Sequence, residues 1–177
     1  NALKSDVDRQ FWDTLLNINN NILNSQENVS FVKLSADVYV LPVKVTTPYD
    51  YNESNRERIL EMYVHFVKAN PQYYYLFPGI CSIKDDTLDK MTVYFVTYGE
   101  FAYSTDRQRA TSEVLEFVRN VVSSTSGMSD YEKIKYIHDR ILDSVTYDTV
   151  AAARVENSDT DYNFSQTCYS LIHLGKS

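Results

Sequence analysis

Glycine is scarce in this sequence, with only 4 among 177 residues. A loop that cradles phosphates through its backbone needs several closely spaced glycines, so a Gly-rich nucleotide-binding loop is excluded. Cysteine is nearly absent as well, because Cys81 and Cys168 are the only two. They make no disulfide framework, and the three histidines (His65, His138, His173) lack the Cys or carboxylate spacing of a zinc centre. We therefore predict no cofactor and no metal.

Positive charge is also in short supply. Lys and Arg number 17 against 24 Asp and Glu, so the net charge is -7 at pH 7. A nucleic-acid binder needs a basic face for the phosphates, and a binder of anionic membranes needs a polybasic patch. The composition therefore argues against both classes. No apolar run approaches the roughly 18 residues of a membrane span, so we expect no membrane span in this chain.

Length and hydrophobic content suit a packed protein. A chain of 177 residues is one domain, or one domain and a fragment, and its hydrophobic content of 44% is sufficient for a core. The first residue is not Met, and no signal peptide precedes the first predicted helix. We therefore expect a mature or trimmed form.

The apolar pattern predicts an α+β fold. Apolar residues at helical spacing indicate amphipathic helices near 6–23, 54–69 and 105–123. Two β-rich runs, about 73–83 and 90–98, are separated by polar residues and predict an antiparallel hairpin. The expected architecture is this hairpin or a small sheet, packed by the helices.

Local signals refine these elements. Ser54 with Glu57, and Thr105 with Gln108, have the spacing of capping boxes that begin the second and third helices. Pro42 cannot donate to a strand ladder, so the extended run around it is predicted to be an edge strand. The predicted buried stripe of the first helix is Val7, Phe11, Leu15, Ile18 and Ile22.

A new element begins after the small, polar stretch 123–127, so we predict domains at 1–127 and 128–177. Ser129 and Glu132 form a capping box, and a short helix is expected at about 164–174. The apolar stripe of the helix after Ser129 is Tyr131, Ile134, Ile137, His138, Ile141 and Val145. Fifty residues are too few for a core of their own. They either dock on residues 1–122 or begin a domain whose remainder is absent.

The segment "EKIKYIHDRILDSVTYD", followed by "SQTCYSLIHLGKS", resembles the start of a bacterial transglutaminase-like domain. This is a papain-fold superfamily of cysteine acyl-transfer enzymes. In the family, a helix of the form EKIxxIHDxIxxxVxYD precedes a stretch S-x-x-A-(Y/F)-x-(L/A)-L-x-x-G-K, and the nucleophilic cysteine follows about two residues later. The resemblance covers about 129–177, and "ANPQYYYLF" is similar to the segment that often precedes this domain.

The resemblance implies that the nucleophile, the later histidine and the later aspartate fall beyond Ser177. This chain would then be the N-terminal part of a protein with cysteine-dependent acyl transfer or amide hydrolysis, and inactive as a fragment. The implied partner is a protein or peptide substrate, and the implied location is extracellular or the cell surface. Tyr147, Asp148 and Tyr169 are the implied substrate-groove residues, although a turn tyrosine with a capping aspartate also accounts for the first two.

Other residues have competing interpretations. Cys168 matches the family's small-residue position, and His173 lies roughly 140° away around a helix, so a Cys/His dyad is disfavoured against a packed thiol. His138 is interpreted as a core histidine. The run Tyr73–Tyr75 indicates either a sugar- or peptide-binding platform or a strand with alternate buried rings.

Two further possibilities stay open for the whole chain. It is either part of the transglutaminase-like protein or a non-catalytic surface or interaction module. A small hydrolase that uses Cys168 is the third and weakest alternative. A homodimer through the C-terminal helices would cover the apolar stripe that follows Ser129.

Overall fold

The computed structural model describes residues 4–24, 29–35, 38–42, 44–85, 89–146 and 167–173. The elements, in chain order, are α1 (Asp6–Asn24), β1 (Val32–Lys33), β2 (Tyr39–Val40), β3 (Val45–Asp50), α2 (Glu53–Ala69), β4 (Leu76–Asp85), β5 (Lys90–Thr97), α3 (Ser104–Ser124), α4 (Asp130–Ser144) and α5 (Cys168–His173). Short 3-10 turns follow α2 and β5. The predicted α+β class is confirmed.

The antiparallel sheet is built around β5. On one edge, β4 pairs with β5 from Asp85 opposite Lys90 to Leu76 opposite Thr97, which confirms the predicted hairpin. On the other edge, β2 and β3 lie one after the other along β5, and β1 extends the sheet beyond β2. Pro42, which has no N–H to donate, falls in the gap between β2 and β3, so the predicted edge strand is interrupted there.

The core of this sheet domain is largely aromatic. α2 packs against β4, and α1 packs against β3 and α2. The ring of Tyr63 stacks on that of Phe95 in β5, with centroids 5.5 Å apart. Among the described residues, the Tyr63 hydroxyl is a fully buried group with no hydrogen-bond partner, and burial raises its pKa.

The buried face of α1 differs from the predicted stripe. The helix buries Asp8, Phe11, Leu15 and Asn19. Val7 is exposed. The Asn19 side chain donates to the Leu15 carbonyl at 2.8 Å and accepts from the Tyr75 hydroxyl at 2.9 Å. Two polar residues, Asp8 and Asn19, are therefore buried on this face, because each has hydrogen-bond partners there.

Helix starts are partly as predicted. The Ser54–Glu57 box is wrong, because α2 begins at Glu53 and its N-cap is Asn52, two residues before Ser54. The Asn52 Oδ1 accepts the Asn55 N–H at 2.8 Å. The box at Thr105 is also wrong, since that residue already lies inside α3. The box at α4 is confirmed by reciprocal hydrogen bonds between Ser129 and Glu132.

The three consecutive tyrosines, Tyr73 to Tyr75, are all buried, and they form a 3-10 turn and a bend before β4. Both sequence interpretations of this run are therefore wrong. A binding platform needs exposed rings, and a strand would bury only alternate ones. The tyrosine rings instead join a chain of edge contacts and stacks that includes Phe66 and Phe101.

The chain divides into two compact units, residues 1–104 and 105–177. The predicted linker 123–127 lies inside the second unit, as the turn between α3 and α4. Gly127 adopts φ +82°, a left-handed conformation that glycine takes without strain. The predicted domains, 1–127 and 128–177, have a different boundary from these two units, and they stay a prediction.

Candidate functional site

The residues implied by the family resemblance are only partly within the described ranges. Tyr147 and Asp148 lie outside them. Tyr169, on α5, is buried, and its hydroxyl donates to Glu113 Oε2 of α3 at 3.0 Å. This contact ties α5 to α3. A role for Tyr169 in a substrate groove stays a prediction.

The predicted dyad residues are not brought together by any described contact. The backbones of Cys168 and His173 belong to α5, but their side chains lie outside the described part of the structure. The side chain of His138 is 66% exposed, with Nδ1 3.3 Å from Asp139 Oδ1. The interpretation of His138 as a core histidine is therefore wrong, because α4 has no buried residue.

The described ranges contain neither a candidate metal site nor a candidate membrane span. These residues hold no group of three or more His, Cys, Asp or Glu that could bind a metal ion. Nor does any helix of that part of the chain have the length and apolarity needed to cross a membrane.

A buried carboxylate lies in the first turn of α1. The Asp8 side chain is only 4% exposed. Its Oδ2 accepts the backbone N–H groups of Lys4 at 2.7 Å and Ser5 at 3.0 Å, and Ser5 Oγ accepts the Asp8 N–H in return. This reciprocal pattern is that of a capping box, so Asp8 satisfies backbone groups at the start of α1.

The same carboxylate binds two side chains from distant elements. Arg58 of α2 donates to Asp8 Oδ2 from Nη2 at 2.8 Å and to Oδ1 from Nε at 3.4 Å. The Tyr49 hydroxyl of β3 donates a hydrogen bond to Oδ1. We call Asp8, Tyr49 and Arg58 the Asp8 cluster. It joins α1, α2 and β3 at one point.

Electrostatics keep each member of the Asp8 cluster in one charge state. Burial alone would raise the pKa of Asp8, but the hydrogen bonds from Arg58 and Tyr49 outweigh it and hold that pKa well below its usual range. Burial and the bond to Asp8 raise the pKa of Tyr49. The bond to Asp8 also raises the pKa of Arg58. A general acid or base needs a pKa near the working pH, so none of the three groups is suited to that role, whereas their contacts join three elements of the fold.

Sequence reasoning missed this cluster. The local pattern around Asp8 indicates only an acidic residue near a helix N-terminus, which is half of its role. Its arginine partner lies 50 positions further along the chain, and no local pattern indicates such a pair.

In the second unit, the apolar side of α4 is exposed. We call it the open face and define it by Tyr131, Ile134, Ile137, Ile141, Leu142 and Val145. These side chains are between 40% and 76% exposed. Single exposed apolar residues are ordinary, but five on one helix, together with Val145 directly after its end, form a patch of the kind that marks an interaction site.

A different side of α4 contacts its own unit. The Arg140 guanidinium lies 5.8 Å from the ring centroid of Phe117 on α3, and α4 also contacts α5. The predicted stripe of α4 is thus confirmed as a pattern along the helix. It is not a buried face, because α4 contributes no buried residue.

Comparisons with protein-family models, with curated proteins and with solved structures find no match to this chain.

Proposed function

We propose that this chain is the N-terminal part of a transglutaminase-like protein whose cysteine transfers or hydrolyses acyl groups. One observation supports it most. The resembling segment contains a helix, α4, with a complete capping box and an amphipathic pattern but no buried residue. Such a helix is suited to pack its apolar side against the rest of a larger domain, as the first helix of a papain-like fold would.

The proposed chemistry belongs to the intact parent. A cysteine thiolate attacks the carbonyl carbon of a carboxamide or peptide, the C–N bond breaks, and the departing amine takes a proton from the histidine. An amine or water then attacks the thioester and releases the thiolate. Tyr147, Asp148 and Tyr169 are proposed to line the substrate groove, and the substrate is a protein or peptide.

The cysteine, histidine and aspartate of this reaction are proposed to follow Ser177. Residues 1–177 alone should therefore incorporate no amine into glutamine substrates and cleave no peptide above background. Placement outside the cell or on its surface, as the resemblance implies, is part of the same proposal.

The reading frame of the parent gene tests the proposal directly. We expect a cysteine codon shortly after Ser177, with a histidine and an aspartate further on. Amine incorporation by the longer protein should disappear when that cysteine is replaced by serine. A parent without the cysteine would defeat the assignment.

A second candidate function is a non-catalytic interaction module, and the open face is the observation that favours it. A parent that lacks the three catalytic residues, but in which the open face retains a partner, would support this alternative. A second copy of this chain, paired through the C-terminal helices, is the partner proposed for this alternative.

A further inference from the structure

We draw no further inference here: the strongest candidate, the exposed apolar surface patch along α4 that we call the open face, carries none because nothing in the structure shows what covers it.

Discussion

Asp8 combines two roles that are usually separate. It satisfies backbone N–H groups at the start of α1, and it holds an arginine and a tyrosine from α2 and β3. A buried ion pair of this kind contributes little net stability when intact, because desolvation offsets the attraction. Removing the charge of Asp8 takes from Arg58 its buried counter-charge and leaves it the half-exposed carboxylate of Glu61 as an ion-pair partner, which is costly.

We expect Asp8→Asn to lower the free energy of unfolding by about 3 kcal/mol, because Arg58 loses its buried counter-charge. Denaturant titration measures this difference. Asp13→Asn, at an exposed position of the same helix, is the control and should change stability by less than about 0.5 kcal/mol. Equal effects of the two substitutions would contradict the structural role of the cluster.

We also expect the stability of the protein to depend on pH through the protonation of Asp8. The pKa of Asp8 in the folded state lies below its unfolded value, so its stabilising contribution is fully present above pH ~4. That contribution is lost as pH falls from there through the folded pKa. The stability difference between the wild type and Asp8→Asn should therefore shrink below about pH 4. A difference that grows on acidification would mean that the sign of the pKa shift is wrong.

Tyr63 is the opposite case, a polar group that the described core leaves without a partner. Removing its hydroxyl should leave stability unchanged or raise it by up to about 1 kcal/mol, since a buried unsatisfied group is costly. Tyr75→Phe is the matched control, because that hydroxyl donates to Asn19 and its loss should destabilise by about 1 kcal/mol. A destabilised Tyr63→Phe would indicate a buried water bound to this hydroxyl.

At the scale of elements, the start of α2 shows that residues with the spacing of a capping box need not cap the helix. Ser54 and Glu57 have the spacing of a capping box, yet Asn52 occupies the N-cap with extended backbone geometry. Asp50, two residues before Asn52, ends β3 and pairs with Lys90. Because β3 ends at Asp50, the helix is capped two residues earlier than the local pattern indicates.

Asn52→Ala should lower the free energy of unfolding by about 1 kcal/mol, because the Asn55 N–H then loses its acceptor. Ser54→Ala is the comparison, and should cost less than about 0.5 kcal/mol because Ser54 is an exposed residue inside the helix. Thermal or denaturant unfolding of both variants distinguishes the two caps. A larger effect at Ser54 would restore the original interpretation.

At the scale of the whole molecule, buried apolar residues are very unevenly divided. Across the described ranges, every buried hydrophobic side chain except Ala110, Tyr169 and Ile172 belongs to residues 1–104. Since apolar burial is the main favourable contribution to folding, the first unit has a core of its own and the second has little.

We therefore expect a fragment of residues 1–104 to unfold cooperatively with heat or denaturant. A fragment of residues 105–177 should show weak, gradual loss of helical circular dichroism, because most helical stability in proteins comes from tertiary packing and this unit buries few apolar side chains among its described residues. A cooperative transition in the second fragment would mean that its helices find a core by associating, and light scattering would then show an oligomer.

The family-like segment was identified by its residues, while its chemistry stays a proposal. The sequence predicted α4, its capping box and its apolar side because these depend on neighbours within a few positions. Whether that side is buried depends on what packs against it, and no local pattern contains that information. The exposure of His138 illustrates this, since its helical face was predicted correctly but its environment was not.

The sequence by itself determined the α+β class, the hairpin and the positions of α1 to α4, because periodicity and turn chemistry are local properties. The tertiary structure alone decided which side of α1 faces inward. Asp8 and Asn19 are buried there because Arg58 and Tyr75 supply hydrogen bonds from far along the chain. Hydrophobic spacing treats such polar residues as surface positions. Only the folded arrangement brings them the partners that make their burial favourable.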